Sequence, residues 1–223
     1  DVLVIRRGSE LSIRPDGPMT PDSSAAIGIT GNNGGLSQFD IVLVSDCKRA
    51  DIFQLTGPAS FGAGTNNLVH NIGSGTPGNL TQALSFTYGT DAGVMKFITR
   101  MYYISRRGGS VTTNTNPPAL FRKEFTSGAF VSQELIEGVE NMRVVFGEDT
   151  DNDKVANIFN RANAVGTWGN VVNARVGLLV QTTTNVDAAA DTKTYTVAGT
   201  NLGPFNDKRR RHVYTSTIQV RNP

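Results

Sequence analysis

The strictest constraint on this chain lies late in it. Val172, Ala174, Val176, Leu178 and Val180 recur at every second position, with Asn173, Arg175 and Gln181 set between them. A period of two places successive side chains on opposite faces, so this segment predicts a half-buried antiparallel strand and excludes a helix. The same alternation returns earlier. From Met95 to Ser105, Phe97, Thr99, Met101 and Tyr103 would line one face, with Ile98, Arg100, Tyr102 and Ile104 on the other. In Glu140 to Phe146, Met142, Val144 and Phe146 share a side. Shorter strand-like runs are Val2 to Ile5, Ile27 to Ile29, Ile41 to Val44, Ile52 to Leu55, Ala119 to Phe125, Thr194 to Ala198 and His212 to Arg221. Ile52 to Leu55 is expected to pair beside Ile41 to Val44, and Ala119 to Phe125 to return beside the strand at 95–105.

The connections are rich in turn residues. Residues 14–38 carry Pro15, Pro18, Pro21 and the Gly31-Asn32-Asn33-Gly34-Gly35 cluster, and residues 57–80 read as an irregular excursion. Arg106-Arg107-Gly108-Gly109 ends the strand at 95–105, and residues 185–194 form a polar connection. Two segments predict helical structure: a short turn over Ser132 to Gly138, with Ser132 as N-cap and Glu134 in the first turn, and a helix over Val155 to Ala164. The fold class expected is therefore α+β and β-rich, with one domain over residues 1–223. A composition of 38% hydrophobic and 18% charged residues with 24 glycines fits strands joined by polar turns.

Charge excludes some functions. A formal net charge of +2 gives no reason to expect nucleic acid as a partner. No stretch approaches the ~20 apolar residues that span a bilayer. The opening Asp1-Val2-Leu3-Val4-Ile5 reads as a strand cut from within a longer protein.

Catalytic constellations are hard to assemble. His70 and His212 lie in no zinc-ligating spacing, and there is neither a G-x-S-x-G elbow nor a P-loop, so the chain is expected not to be an enzyme. His70 is read as a loop side chain and His212 as a strand residue beside the basic run Lys208-Arg209-Arg210-Arg211. That run reads as a solvated strand entry, with phosphate binding or a polar contact to a neighbouring subunit as alternatives. Asp149, Asp151 and Asp153 have the opening D-x-D-x-D spacing of a calcium loop, in which alternate side chains converge on a hard cation. Lys154 stands where that loop wants Gly, and Asn160 where a bidentate Glu would close it. The competing reading is an acidic solvated loop before the 155–164 helix. Cys47 is the one cysteine. It is either paired with a residue elsewhere or a buried thiol acting as a small apolar group.

Several stretches together resemble the PilW-type minor pilins. Val44 to Thr56, with Ser45-Asp46-Cys47 and Ala50-Asp51-Ile52-Phe53, looks like that family's "SDC…ADIF…T" block. Glu134-Leu135-Ile136-Glu137-Gly138-Val139-Glu140-Asn141-Met142-Arg143-Val144-Val145-Phe146-Gly147 is similar to its "ELVEGVENMRVVYG" segment, and residues 149–153 to its acidic turn. Trp168 with Val171 to Val180 resembles its late strand, and Asp207 to Thr217 through Arg221-Asn222 its closing "RRRVFTTTVALRN" strand. Residues 57–80 and 106–118 carry no such resemblance.

The resemblance implies a pilin-like antiparallel sheet domain of a type IV pilus subunit. Its N-terminal hydrophobic helix is expected upstream of Asp1, anchored in the inner membrane, with Val176, Leu178 and Val180 covering it. It implies that Cys47 pairs with a residue upstream of Asp1 in an oxidising compartment. The implied work is initiation of pilus assembly within a priming or tip complex, with other minor pilins and the major pilin as partners. Such a subunit supports pilus-dependent motility and adhesion, on the periplasmic side of the inner membrane and then in the fibre at the cell surface. No cofactor is required, with calcium as the one candidate. The alternatives are a pseudopilin of a type II secretion system and a surface- or glycan-binding module. For the last, the lone Trp168, expected in or beside the core, offers no aromatic platform.

Overall fold

A computed structural model describes residues 1–17, 26–31, 33–107 and 116–220. Pro18, Pro21 and Asn32 of the first turn region, Gly108 and Gly109, and Arg221-Asn222 lie outside the described residues. Strands dominate the rest: β1 (Val2–Ile13), β2 (Ala26–Thr30), β3 (Ile41–Ser45), β4 (Ala50–Gln54), β5 (Thr65–Val69), β6 (Gly93–Arg106), β7 (Pro118–Thr126), β8 (Ala129–Glu137), β9 (Val139–Glu148), β10 (Ile158–Asn160), β11 (Val171–Gln181), β12 (Tyr195–Val197), β13 (Thr200–Leu202) and β14 (Arg211–Gln219). Two 3₁₀ turns, Ala162–Ala164 and Trp168–Asn170, are the only helical elements among the described residues. The β-rich, antiparallel half of the fold expectation therefore stands.

Both predicted helices are strands or turns instead. Residues 132–137 belong to β8, which pairs with β7, and Gly138 is the turn residue after it. The two join through Ser127 and Gly128 at φ +48° and +83°. Glu134 takes both guanidinium contacts of Arg107 at 2.9 Å, Gln133 accepts from Arg122 at 2.7 Å, and Phe130 meets Phe125 edge-on. These cross-strand partners outweigh the local N-cap preference of Ser132. In 155–164, Ile158–Asn160 pairs with β9, and only Ala162–Ala164 coils. Asn160 donates to the Glu148 carboxylate at 2.8 Å, while the Arg175 guanidinium lies 3.8 Å from the Phe159 ring. Partners on alternate sides require an extended chain. The excursion at 57–80 also holds a strand, since β5 pairs with β2.

The chain forms two compact units. One comprises Val4–Met101 and Lys123–Ser132. Here β3 lies between β4 and β6, with Val42 and Val44 fully buried by its alternation. They pack with Ile27, Ile29, Leu55, Leu68, Tyr88 and Val94 in one core. Burying each aliphatic side chain of this size contributes about 1.5–3 kcal/mol. Two polar hubs organise the surrounding turns. Asp40, fully buried, pairs with Lys96 at 2.9 Å and accepts from the Ser37 and Ser127 N–H groups. Buried Gln54 donates to the Phe39 and Thr76 carbonyls and accepts from Gly78 N–H, which fixes the glycine-rich segment.

The other unit comprises Asp1–Leu3, Tyr102–Arg122 and Gln133–Pro223. Its frame is a four-stranded antiparallel sheet in the order β10-β9-β11-β14. The hairpin β12–β13 covers one face. It comes so close over Gly177 that a Cβ there would lie 2.9 Å from a Val197 methyl and 3.0 Å from the Ala198 nitrogen. No described helix is long and apolar enough to cross a membrane.

Candidate functional site

The four-stranded sheet has two unlike faces. On the hairpin side, Leu179 and Val197 are fully buried and Gln181 is nearly so. The face read as polar from Asn173, Arg175 and Gln181 is thus partly a core face, because the hairpin roofs it. The opposite face is set by the register. Phe146, Ala174 and Ile218 form one cross-strand row, Val144, Val176 and Ser216 the next, and Met142, Leu178 and Tyr214 a third. Its apolar side chains grade from buried on β9, through half-buried on β11, to exposed on β14, where Tyr214 is 57% and Ile218 56% accessible. Trp168 is exposed and stands edge-on against Phe146, at 4.9 Å between ring centroids. This band is continuous and apolar, and it joins the residues the alternation selected.

The acidic turn follows β9. The carboxylates of Asp149, Asp151 and Asp153 each offer an oxygen within 4.8 Å of the others. Asp149 is buried, and its two oxygens accept N–H bonds from Asp151, Asn152 and Lys154. Burial works against its ionisation. Those backbone donors outweigh burial and hold the carboxyl below the usual range. Lys154, standing where a calcium loop has Gly, adopts the left-handed φ of +70° that such a position requires. Asp153 accepts the Val155 N–H, and Asn160 is turned to Glu148, so it does not close the turn. Glu148 itself, buried, is held low by Asn160 first and then by the N–H groups of Thr167 and Gly166. The turn leads into β10 and not a helix.

The basic run is divided by the structure. Arg211 is buried and forms the centre of a network with Glu140 at 2.7 Å, Asp207 at 2.7 and 2.8 Å, Asp191 at 3.2 Å and Gln181 at 3.0 Å. Its guanidinium also lies 3.9 Å from the Phe205 ring centroid. Burial opposes the charge on Arg211, and the carboxylates of Asp207 and Glu140 more than restore it. The same bond to Arg211 draws the Asp207 carboxyl down to about 2. Arg210 pairs with Asp187 at the surface. Reading 208–211 as a solvated entry therefore missed Arg211. The signal was there in Asp207 and Arg211 as an i, i+4 pair of opposite charge, but nothing local says which arginine turns inward.

The remaining candidates separate. His70 is buried against Phe53 at 4.6 Å, and burial lowers its pKa more than the nearby Leu68 and Gln82 carbonyls raise it. His212 is exposed beside Tyr214. Among the described residues neither ring is hydrogen-bonded to a serine, cysteine or carboxylate. Cys47 is a free, exposed thiol in the turn between β3 and β4, at φ +67°. This corrects the reading of a buried apolar thiol. The turn is closed by Ser45 and Asp46, which accept the N–H groups of Cys47, Lys48 and Arg49, so position 47 faces outward.

The fold defines a class: an antiparallel β protein with a partly exposed apolar face on its four-stranded sheet. The family described as Type IV Pilus-assembly protein W matches residues 101–222, more than half of the chain, and the chain belongs to that family. It is a PilW-type protein of type IV pilus assembly, a family of assembly components and not of known enzymes, associated with the cell envelope and pilus and interacting with other assembly components. No curated protein and no solved structure matches it. The apolar face and the Arg211 network lie inside the matched residues, whereas the block around Cys47 lies outside them.

Proposed function

We propose that this subunit is a minor pilin that helps initiate type IV pilus assembly, within a priming or tip complex with other minor pilins and the major pilin. The observation that supports this most is the apolar face of β9, β11 and β14. Val176, Leu178 and Val180 are only half-buried there, and the surface suits a hydrophobic helix supplied from upstream of Asp1. Such a helix would hold the subunit on the periplasmic side of the inner membrane until it enters the fibre. Motility and adhesion then follow from the pilus, and the exposed thiol of Cys47 is assigned in this proposal to a disulfide with a residue upstream of Asp1. Calcium at Asp149, Asp151 and Asp153 belongs to the same proposal as a stabiliser of the turn.

The test is deletion of the gene with complementation by the parent and by the double variant Val176→Lys, Leu178→Lys. Surface pili are counted and secretion assayed. Pili lost on deletion, restored by the parent but not by the variant, with secretion intact, are expected. Normal pili with failed secretion would transfer the protein to the pseudopilins.

A further inference from the structure

The outer edge of β14 is an unguarded strand edge. Two backbone bonds mark the ends of its ladder with β11: Thr182 N–H donates to the Arg210 carbonyl at 3.0 Å, and Val220 N–H to the Val172 carbonyl at 2.9 Å. Between them the register runs without a shift, from Gln181 opposite Arg211 to Asn173 opposite Gln219. In an antiparallel pair, residues that exchange bonds with a neighbour alternate with residues that turn their N–H and C=O away. Both marked pairs involve even-numbered residues of the last strand. Val213, Thr215, Thr217 and Gln219 therefore direct their backbone groups outward, where β14 has no further strand neighbour among the described residues.

Proteins protect such edges with charged side chains, prolines or bulges. From His212 to Val220 there is no Lys, Arg, Asp, Glu, Pro or Gly, and no bulge interrupts the pairing. Nearly the whole strand is exposed. Its residues, Val, Tyr, Thr, Thr and Ile among them, are strong strand formers.

We propose that this edge docks a second copy of the same chain, edge to edge and antiparallel, with the two-fold axis at Ser216. The occupant follows from self-complementarity. Among antiparallel self-pairings, the register centred on Ser216 is the one that pairs these four uncharged residues among themselves and leaves Arg211 out of the ladder. It sets Val213 opposite the partner's Gln219 and Thr215 opposite the partner's Thr217. On the apolar face it brings Tyr214 against the partner's Ile218, and the two-fold repeats that contact. Aromatic–β-branched and Thr–Thr pairs are favourable cross-strand combinations. The contact is isologous, so it closes as a dimer with a continuous eight-stranded sheet. The proposal needs only the four-stranded sheet and does not rest on the role in pilus initiation.

Edge pairing alone makes a small interface, so covalent capture is the sensitive readout. At the two-fold, Ser216 faces its own copy in a pair that exchanges no hydrogen bonds, with Cα atoms about 4.5 Å apart, inside disulfide range. In a Cys47→Ser background, which removes the exposed native thiol, Ser216→Cys is expected to oxidise to a dimer of twice the 23.9 kDa chain mass. Thr217→Cys, offset from its own copy, is expected to stay monomeric. Adding Thr215→Pro to the Ser216→Cys chain removes one outward N–H and leaves the β11 ladder intact, so it should abolish the crosslink while the circular dichroism spectrum persists. The idea is overturned if Ser216→Cys remains monomeric. It is equally overturned if Thr217→Cys crosslinks as readily, or if a folded Thr215→Pro variant still crosslinks.

Discussion

Arg211 shows how much one side chain can decide. Its five donors reach three carboxylates and an amide, and they tie β9, the 187–191 segment and the 205–207 segment to the start of β14. Removing it would leave Asp191, nearly buried, and two partly exposed carboxylates without their counter-charge. Arg211→Met is expected to cost about 3 kcal/mol, the lower part of the range for breaking a buried pair, because Glu140 and Asp207 stay partly solvated. Denaturant midpoints measure it, and Arg211→Lys should recover only a fraction, since an ammonium lacks the planar fork. The network also sets a pH response. Asp207 titrates near 2 when folded against an ordinary 3.8, so its stabilisation is complete above the ordinary value and is lost as pH falls through about 2. Asp207→Asn should flatten the acid limb of stability between roughly pH 4 and 2. An unchanged acid limb would mean that other carboxylates control it.

At the scale of elements, turns carry the constraints. Gly138 links β8 to β9 at φ +85°, where a Cβ would lie 2.5 Å from the Gln181 carbonyl oxygen. Its N–H donates to the Pro118 carbonyl and its own carbonyl accepts from Gln181, so it cannot move aside. Gly138→Ala is expected to destabilise by at least about 2 kcal/mol, read from thermal or denaturant unfolding. The acidic turn gives a second prediction. With calcium coordinated by Asp149, Asp151 and Asp153, the melting temperature should rise in saturating calcium, fall in chelator, and become insensitive in Asp151→Asn, Asp153→Asn. Identical melting in both conditions would leave Asp149 as a backbone-capping residue alone. The elements themselves were readable where period two was long: β6, β9 and β11 stand where the alternation put them. The segments at 132–138 and 155–164 were misread because their deciding partners, Arg107, Glu148 and Arg175, are remote in sequence.

For the whole molecule, the apolar face separates stability from assembly. Val176 and Leu178 are half-buried, so Lys at both positions can extend its charge to water along the sheet. The doubly substituted chain is expected to keep its strand signature in circular dichroism while failing to restore pili. Loss of the fold would instead make that face part of the core. The Ser216 crosslink probes a different surface, the sheet edge, so the two outcomes are independent.

The alternation of small and branched apolar residues determined, without tertiary information, that this is an antiparallel β protein and which side chains share the β11 face. Local periodicity suffices there because a strand's two faces are set by covalent geometry. Ser45 and Asp46 close a tight turn at Cys47 through their own side chains, which accept the N–H groups of residues 47–49. Tertiary structure alone decided which face of β11 is roofed, since that depends on Gly177 admitting a hairpin from 20 residues on. It also decided which of the three arginines 209–211 is buried and which strand is left at the edge. Those choices are made by partners that the chain brings together only on folding, and no local pattern encodes them.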